Sequence, residues 1–139
     1  LVRVTRPGRE IAMGNWTPRG FIGQMFKLMA THVPPPSGMP SPILWGDEAR
    51  VRERLRDGLA ELRITPLVAV LHYPTSVPET VEFYKRYFGP AESAFHKLPP
   101  EKKAVLRGEL EELWNRHNTA SDGSTRVEAE YLEVVGVRA

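Results

Sequence analysis

The stretch TRPGREIAMGNWTPRGF, residues 5–21, decides how this chain is read. Arg6-Pro7-Gly8 is turn chemistry. Residues 9–16, REIAMGNW, read as a strand. Thr17 is a good N-cap and Pro18 suits the first helical position, so a helix is expected to begin there. A strand feeding directly into a helix is the building unit of a layered α/β fold.

Working outward, Ile22, Met25, Phe26, Met29 and Val33 follow the spacing of one buried helical face. The segment PPPSGMPSP (34–42) holds five prolines in nine residues. It reads as an extended surface loop, able to serve as a lid, because proline breaks helices and central strands. Asp47 is placed to cap a helix through 48–59, with Gly58 near its end. ELRITPLVAVLHYP (61–74) is the strongest strand signal. Its continuously apolar second half predicts a strand covered on both faces, and Pro66 predicts a bulge or irregular start.

Ser76 caps a further helix, with Val77, Val81, Tyr84 and Phe88 on one stripe and Phe83 and Tyr87 widening it. Gly89-Pro90 breaks that helix, and another follows over 99–118 with Leu106, Leu110 and Leu113 buried. A turn at 121–123 leads to a final strand over 125–139. There Val127, Ala129 and Tyr131 share one face, and Glu128 and Glu130 the other. The order strand, helices, strand, helices, strand is α/β, and the helical crossover predicts that the first two strands are parallel.

The 139 residues are the size of one domain, and 41% hydrophobic with 26% charged content is globular. Nineteen basic residues face seventeen acidic ones, interleaved as in GDEARVRERLRDG (46–58). That pattern is a solvated helix face and argues against a nucleic-acid interface, despite a pI near 9.1. The absence of cysteine excludes disulfides and thiolate chemistry and fits a cytoplasmic location. LVAVL (67–71) is too short to span a bilayer. His32, His72, His96 and His117 show no metal-ligand spacing, and Glu109, Glu111 and Glu112 read as a solvated face. Gly14, Gly20 and Gly23 lack the spacing of a dinucleotide fingerprint.

Trp16 and Tyr73 end the first two strands. In a parallel sheet both fall at the carboxyl edge, where ligands bind in open α/β folds. Phe21, Met25 and Trp45 are placed to close over that edge, forming a wall suited to an apolar molecule or a sulfonium cation. The competing reading is that each is plain core.

The phrase RVTRPGREIAMGNWTPRGFIGQMFKLMATHVPPP (3–36) resembles the region around the fifth strand of class I S-adenosylmethionine-dependent methyltransferases. The resemblance is to the small-molecule type, including the ubiquinone/menaquinone biosynthesis enzymes. It continues through PSPILWGDEARVRERL (40–55), a sixth strand at 62–73, a helical insert, and VEAEYLEVV (127–135) as the last strand. It implies a partial Rossmann-like sheet of strands five to seven with flanking helices, the last strand lying antiparallel between the other two. Residues 1–139 would form the C-terminal portion of a methyltransferase domain whose N-terminal cofactor-binding half is absent. The implied cofactor is S-adenosylmethionine and the implied partner a small-molecule methyl acceptor. Asn15, Trp16, Thr17, Phe21, Met25, Trp45 and Tyr73 would line the acceptor pocket. No catalytic or cofactor-binding residue is identifiable, so the chain alone is expected to be inactive.

One departure is local. Where the family has two glycines after the proline, this chain has Gly8 then Arg9, so Arg9 must take a positive φ or the turn must shift. The strand at 9–16 would also expose an edge that seeks a partner, either a second copy in a homodimer or the missing half. The alternative function is therefore a non-enzymatic half-domain acting as a binding or oligomerisation module.

Overall fold

The computed structural model describes residues 1–139. Strand β1 (Glu10–Trp16) leads to helix α1 (Phe21–His32), and α2 (Glu48–Leu55) leads to strand β2 (Leu59–Tyr73). Helices α3 (Val77–Tyr87), α4 (Gly89–Lys97) and α5 (Pro100–His117) precede strand β3 (Thr125–Arg138). Short 3-10 turns occupy Val2–Val4 and Pro42–Gly46. The sheet order is β1-β3-β2, and β3 is antiparallel to both neighbours. The first two strands thus run in the same direction, as their helical crossover predicts, with the last strand reversed between them.

Alternation along β3 divides the helices between the two faces of the sheet. Val127 and Ala129 point to the layer of α1, α3, α4 and α5, where they join Phe21, Met25, Val81, Leu106 and Trp114. Leu132 and Val134, of opposite parity, point to the other face and pack on Val51 and Leu55 of α2. Each face is therefore covered over only part of its length. This corrects the expectation for β2. Val68 and Val70 are 56% and 49% exposed, because the helical layer covers only the face that carries Ala69 and Leu71. Their β3 partners, Glu130 and Glu128, are also exposed.

Local signals account for most element ends. Asp47 accepts a 3.0 Å hydrogen bond from the Arg50 N–H and caps α2. That helix stops at Leu55, short of residue 59, because Gly58 turns the chain at φ +98°. Ser76 and Glu79 form a capping box on α3. The two hydrogen bonds from Ser76 hold the Glu79 carboxyl below its ordinary pKa. Phe83 and Tyr87 do not widen the buried stripe of α3; both are exposed. Pro66 stays in register opposite Leu132, and the irregularity falls instead between Leu59 and Glu61. An edge strand tolerates proline because half of its N–H groups have no ladder partner to lose.

At the start of the chain the glycine question resolves by a shifted turn. Gly8 takes φ +73°, and no non-glycine residue has a positive φ. Arg9 is thereby free to extend the ladder, accepting from the Arg138 N–H at 3.0 Å. No helix is long and apolar enough to cross a membrane.

Candidate functional site

The carboxyl end of β1 is built around Thr17. Its N–H donates to the Glu130 carbonyl at 3.1 Å, and its Oγ1 donates to the Glu130 carboxylate at 2.8 Å. The same Oγ1 accepts from the Gly20 N–H at 3.1 Å. Thr17 therefore prolongs the strand instead of starting the helix, and α1 begins four residues later at Phe21 with Gly20 as its N-cap. Thr17→Val should cost about 1–3 kcal/mol, since it leaves the Gly20 N–H without that acceptor in a mostly buried corner. Urea denaturation of the variant against the parent checks this.

Asn15 and Trp16 are half-buried beside it. Trp16 meets Tyr131 edge-on at 6.0 Å. The Asn15 amide nitrogen is buried with no hydrogen-bond partner. Gly46 closes this corner from above: a Cβ there would lie 1.8 Å from the Trp16 carbonyl oxygen. A cleft of about 590 Å³ opens at this point, with Arg19, Asp47, Glu48 and Glu130 on its walls.

The other expected pocket residues are elsewhere. Phe21 and Met25 are 2% and 1% exposed and belong to the core. Phe21 meets Trp114 edge-on at 4.6 Å. Tyr73 also meets Trp114 edge-on, at 6.1 Å, and its hydroxyl bonds that of Tyr84 at 3.0 Å. Burial, aided by that bond, pushes the Tyr84 hydroxyl well above its ordinary pKa. Trp45 is partly exposed and lies under the Arg54 guanidinium of α2 at 4.4 Å.

The register explains why no common wall forms. Trp16 pairs with Tyr131, which pairs in turn with Leu67. Strand β2 continues six residues further, to Tyr73 opposite Thr125. At about 3.3 Å per residue the two strand ends are staggered by about 20 Å. Two carboxyl termini of parallel strands need not share an edge when the reversed strand between them is long.

A separate apolar recess was not anticipated. It lies between α1, the proline-rich segment and α4, with a volume of about 510 Å³. Phe26, Met29 and Val33 form one wall, Met39 and Ile43 another, and Ala94 closes the α4 side. The 34–42 segment carries no helix or strand before the Pro42 turn, as its prolines dictate, and it folds back over α1. Phe26 and Val33 were expected on one buried face with Ile22, Met25 and Met29; both are instead half-buried and line this recess.

The remaining polar candidates have structural partners. His32 reaches Glu109 at 2.5 Å and His117 approaches Gln24 at 3.3 Å, so both tie α1 to α5. Glu109 is thus not simply a solvated residue. No three histidine or acidic side chains gather at one point. Gly23 serves close packing, since a Cβ there would lie 2.3 Å from the Thr17 carbonyl oxygen.

No protein-family model matches the sequence. The uncharacterized protein Rv1403c of Mycobacterium tuberculosis is 32% identical over 116 residues, covering 81% of this chain and 42% of that protein. The uncharacterized protein Rv1405c of the same organism is 34% identical over 113 residues, covering 80% and 40%. The uncharacterized protein Mb1438c of Mycobacterium bovis matches at 32% over 116 residues. The chain spans about two-fifths of the length of the curated relatives it matches.

Proposed function

We propose that this chain is the acceptor-binding portion of an S-adenosylmethionine-dependent methyltransferase that methylates a small molecule. The observation that supports this most is the sheet. The C-terminal strand lies reversed between two strands of common direction, in the order β1-β3-β2. That is the arrangement implied by the resemblance of residues 3–36 and 127–135 to the class I methyltransferases. In this reading β1, β3 and β2 are strands five, seven and six of a Rossmann-like sheet.

In this reading the residues here hold no part of the cofactor. The glycines at the start of α1 are consumed by packing: Gly23 against Thr17 and Pro18, Gly20 against Thr17 and Glu130. The proposal therefore assigns S-adenosylmethionine to polypeptide outside these 139 residues, next to β1. This chain supplies the acceptor side, through the recess between α1, the proline-rich segment and α4. A placed acceptor needs little acid–base help from the protein, since much of methyl transfer is positioning.

The test is isolation of the native polypeptide from its source, with intact mass and S-adenosylmethionine binding measured together. The reading expects a chain well above 15.7 kDa that binds the cofactor saturably. A native chain of 15.7 kDa that ignores the cofactor would overturn it. The alternative would then stand: a binding or oligomerisation module that pairs through the free outer edge of β1.

A further inference from the structure

We infer that the recess between α1, the proline-rich segment and α4 binds an elongated apolar molecule carrying one anionic group. Its volume of about 510 Å³ falls in the range of small-molecule sites. Its walls are Phe26, Met29, Val33, Met39, Ile43 and a run of prolines. Prolines offer no N–H, so a ligand with a polar body would lose water here and find few donors in return. The same lack of N–H groups disfavours an extended peptide, which needs main-chain hydrogen bonds from its groove.

The charge on the walls is one-sided. Lys27 of α1 and Lys97 of α4 both line the recess, and no acidic residue does. Neither lysine has an ion-pair or hydrogen-bond partner. By contrast, Arg50, Arg52, Lys85 and Arg107 each hold a carboxylate on their own helix. Two unpaired ammonium groups beside an acid-free apolar recess complement a carboxylate, sulfate or phosphate head on an apolar tail. Met39, 63% exposed at the recess, is left with apolar surface that such a tail would cover. That this ligand is also the methyl acceptor rests on the function proposed above; the binding itself does not.

The test is calorimetric titration of the native polypeptide with dodecanoate and with dodecanol, both below their aggregation limits. Saturable binding of one dodecanoate is expected, with dodecanol about tenfold weaker. The double variant Lys27→Ala/Lys97→Ala should bind dodecanoate about tenfold more weakly and dodecanol unchanged. Both lysines are exposed, so the variant keeps the fold, which circular dichroism verifies. Met39→Glu, at another exposed position, should repel dodecanoate more than dodecanol. Absence of saturable binding, equal affinity for acid and alcohol, or a double variant that binds dodecanoate like the parent would each overturn the inference. A protein that binds dodecanoate as described yet neither binds S-adenosylmethionine nor transfers methyl groups would sink the methyltransferase proposal and leave this one standing. One that binds S-adenosylmethionine and methylates a small acceptor yet shows no saturable dodecanoate binding would do the reverse.

Discussion

Replacing Gly46 by alanine should destabilise the protein by about 3 kcal/mol, lowering the melting temperature by about 10 °C. The cause is space and not backbone freedom, because Gly46 is not among the glycines with positive φ. Its missing Cβ would stand 1.8 Å from the Trp16 carbonyl oxygen and 2.8 Å from the Thr17 Cα. Both obstacles are main chain, so no rotamer change relieves them. The Pro42–Gly46 turn would have to lift off the end of β1, taking Asp47 and the start of α2 with it. Gly108→Ala is the matched control. It sits in the interior of α5 with nothing within 4 Å, so the same methyl should stabilise by about 0.5–1 kcal/mol through helix propensity. Thermal unfolding of the two variants gives opposite signs if the turn is seated as described. A Gly46→Ala protein as stable as the parent would show that it is not.

Trp114→Ala should cost about 3–5 kcal/mol, a large part of the whole stability of a domain this size. Trp114 is fully buried and touches three other rings: Phe21 at 4.6 Å, Tyr84 at 4.9 Å and Tyr73 at 6.1 Å. It therefore joins α5 to α1, α3 and the end of β2, and its removal opens a cavity that no single neighbour can fill. Trp114→Phe should be far milder. It keeps most of the contact and also removes an indole N–H that is buried without a partner, which carries a cost of its own. Tyr87→Ala, at an exposed position on α3, should change stability by less than about 0.5 kcal/mol. Chemical denaturation should rank the losses with Trp114→Ala first, then Trp114→Phe, then Tyr87→Ala. Equal losses for the two alanine variants would deny Trp114 its central place.

The candidate site shows where sequence reasoning stops working. Asn15, Trp16 and Thr17 do share one corner, because they are consecutive at the end of a strand. Phe21 and Met25 obey helical periodicity and are buried, but burial made them core instead of pocket wall. The face of α1 next to them, with Phe26 and Val33, lines the recess. Helical periodicity identifies an apolar arc and does not say which side of that arc meets another element and which meets a gap. Trp45 was placed by a cation–π contact with Arg54, nine residues along the chain, which competes with any role over the sheet edge.

By itself the sequence determined what is local. The cap of α2 at Asp47, the Ser76–Glu79 box, the proline stop before 34 and the Gly8 turn are all decided within three or four residues, and they appear where the residues require them. The α/β class follows from those elements in order. Tertiary structure decided what depends on distant partners. The register of β3 on β1 joins residues more than a hundred positions apart, and together with the register of β3 on β2 it sets the stagger between Trp16 and Tyr73. It also decides which half of each sheet face the helices cover, leaving Val68 and Val70 exposed. The physical reason is that hydrogen-bonded turns and caps are closed by neighbours in the chain, whereas strand register and groove shape are settled only when separate apolar surfaces compete for the same space.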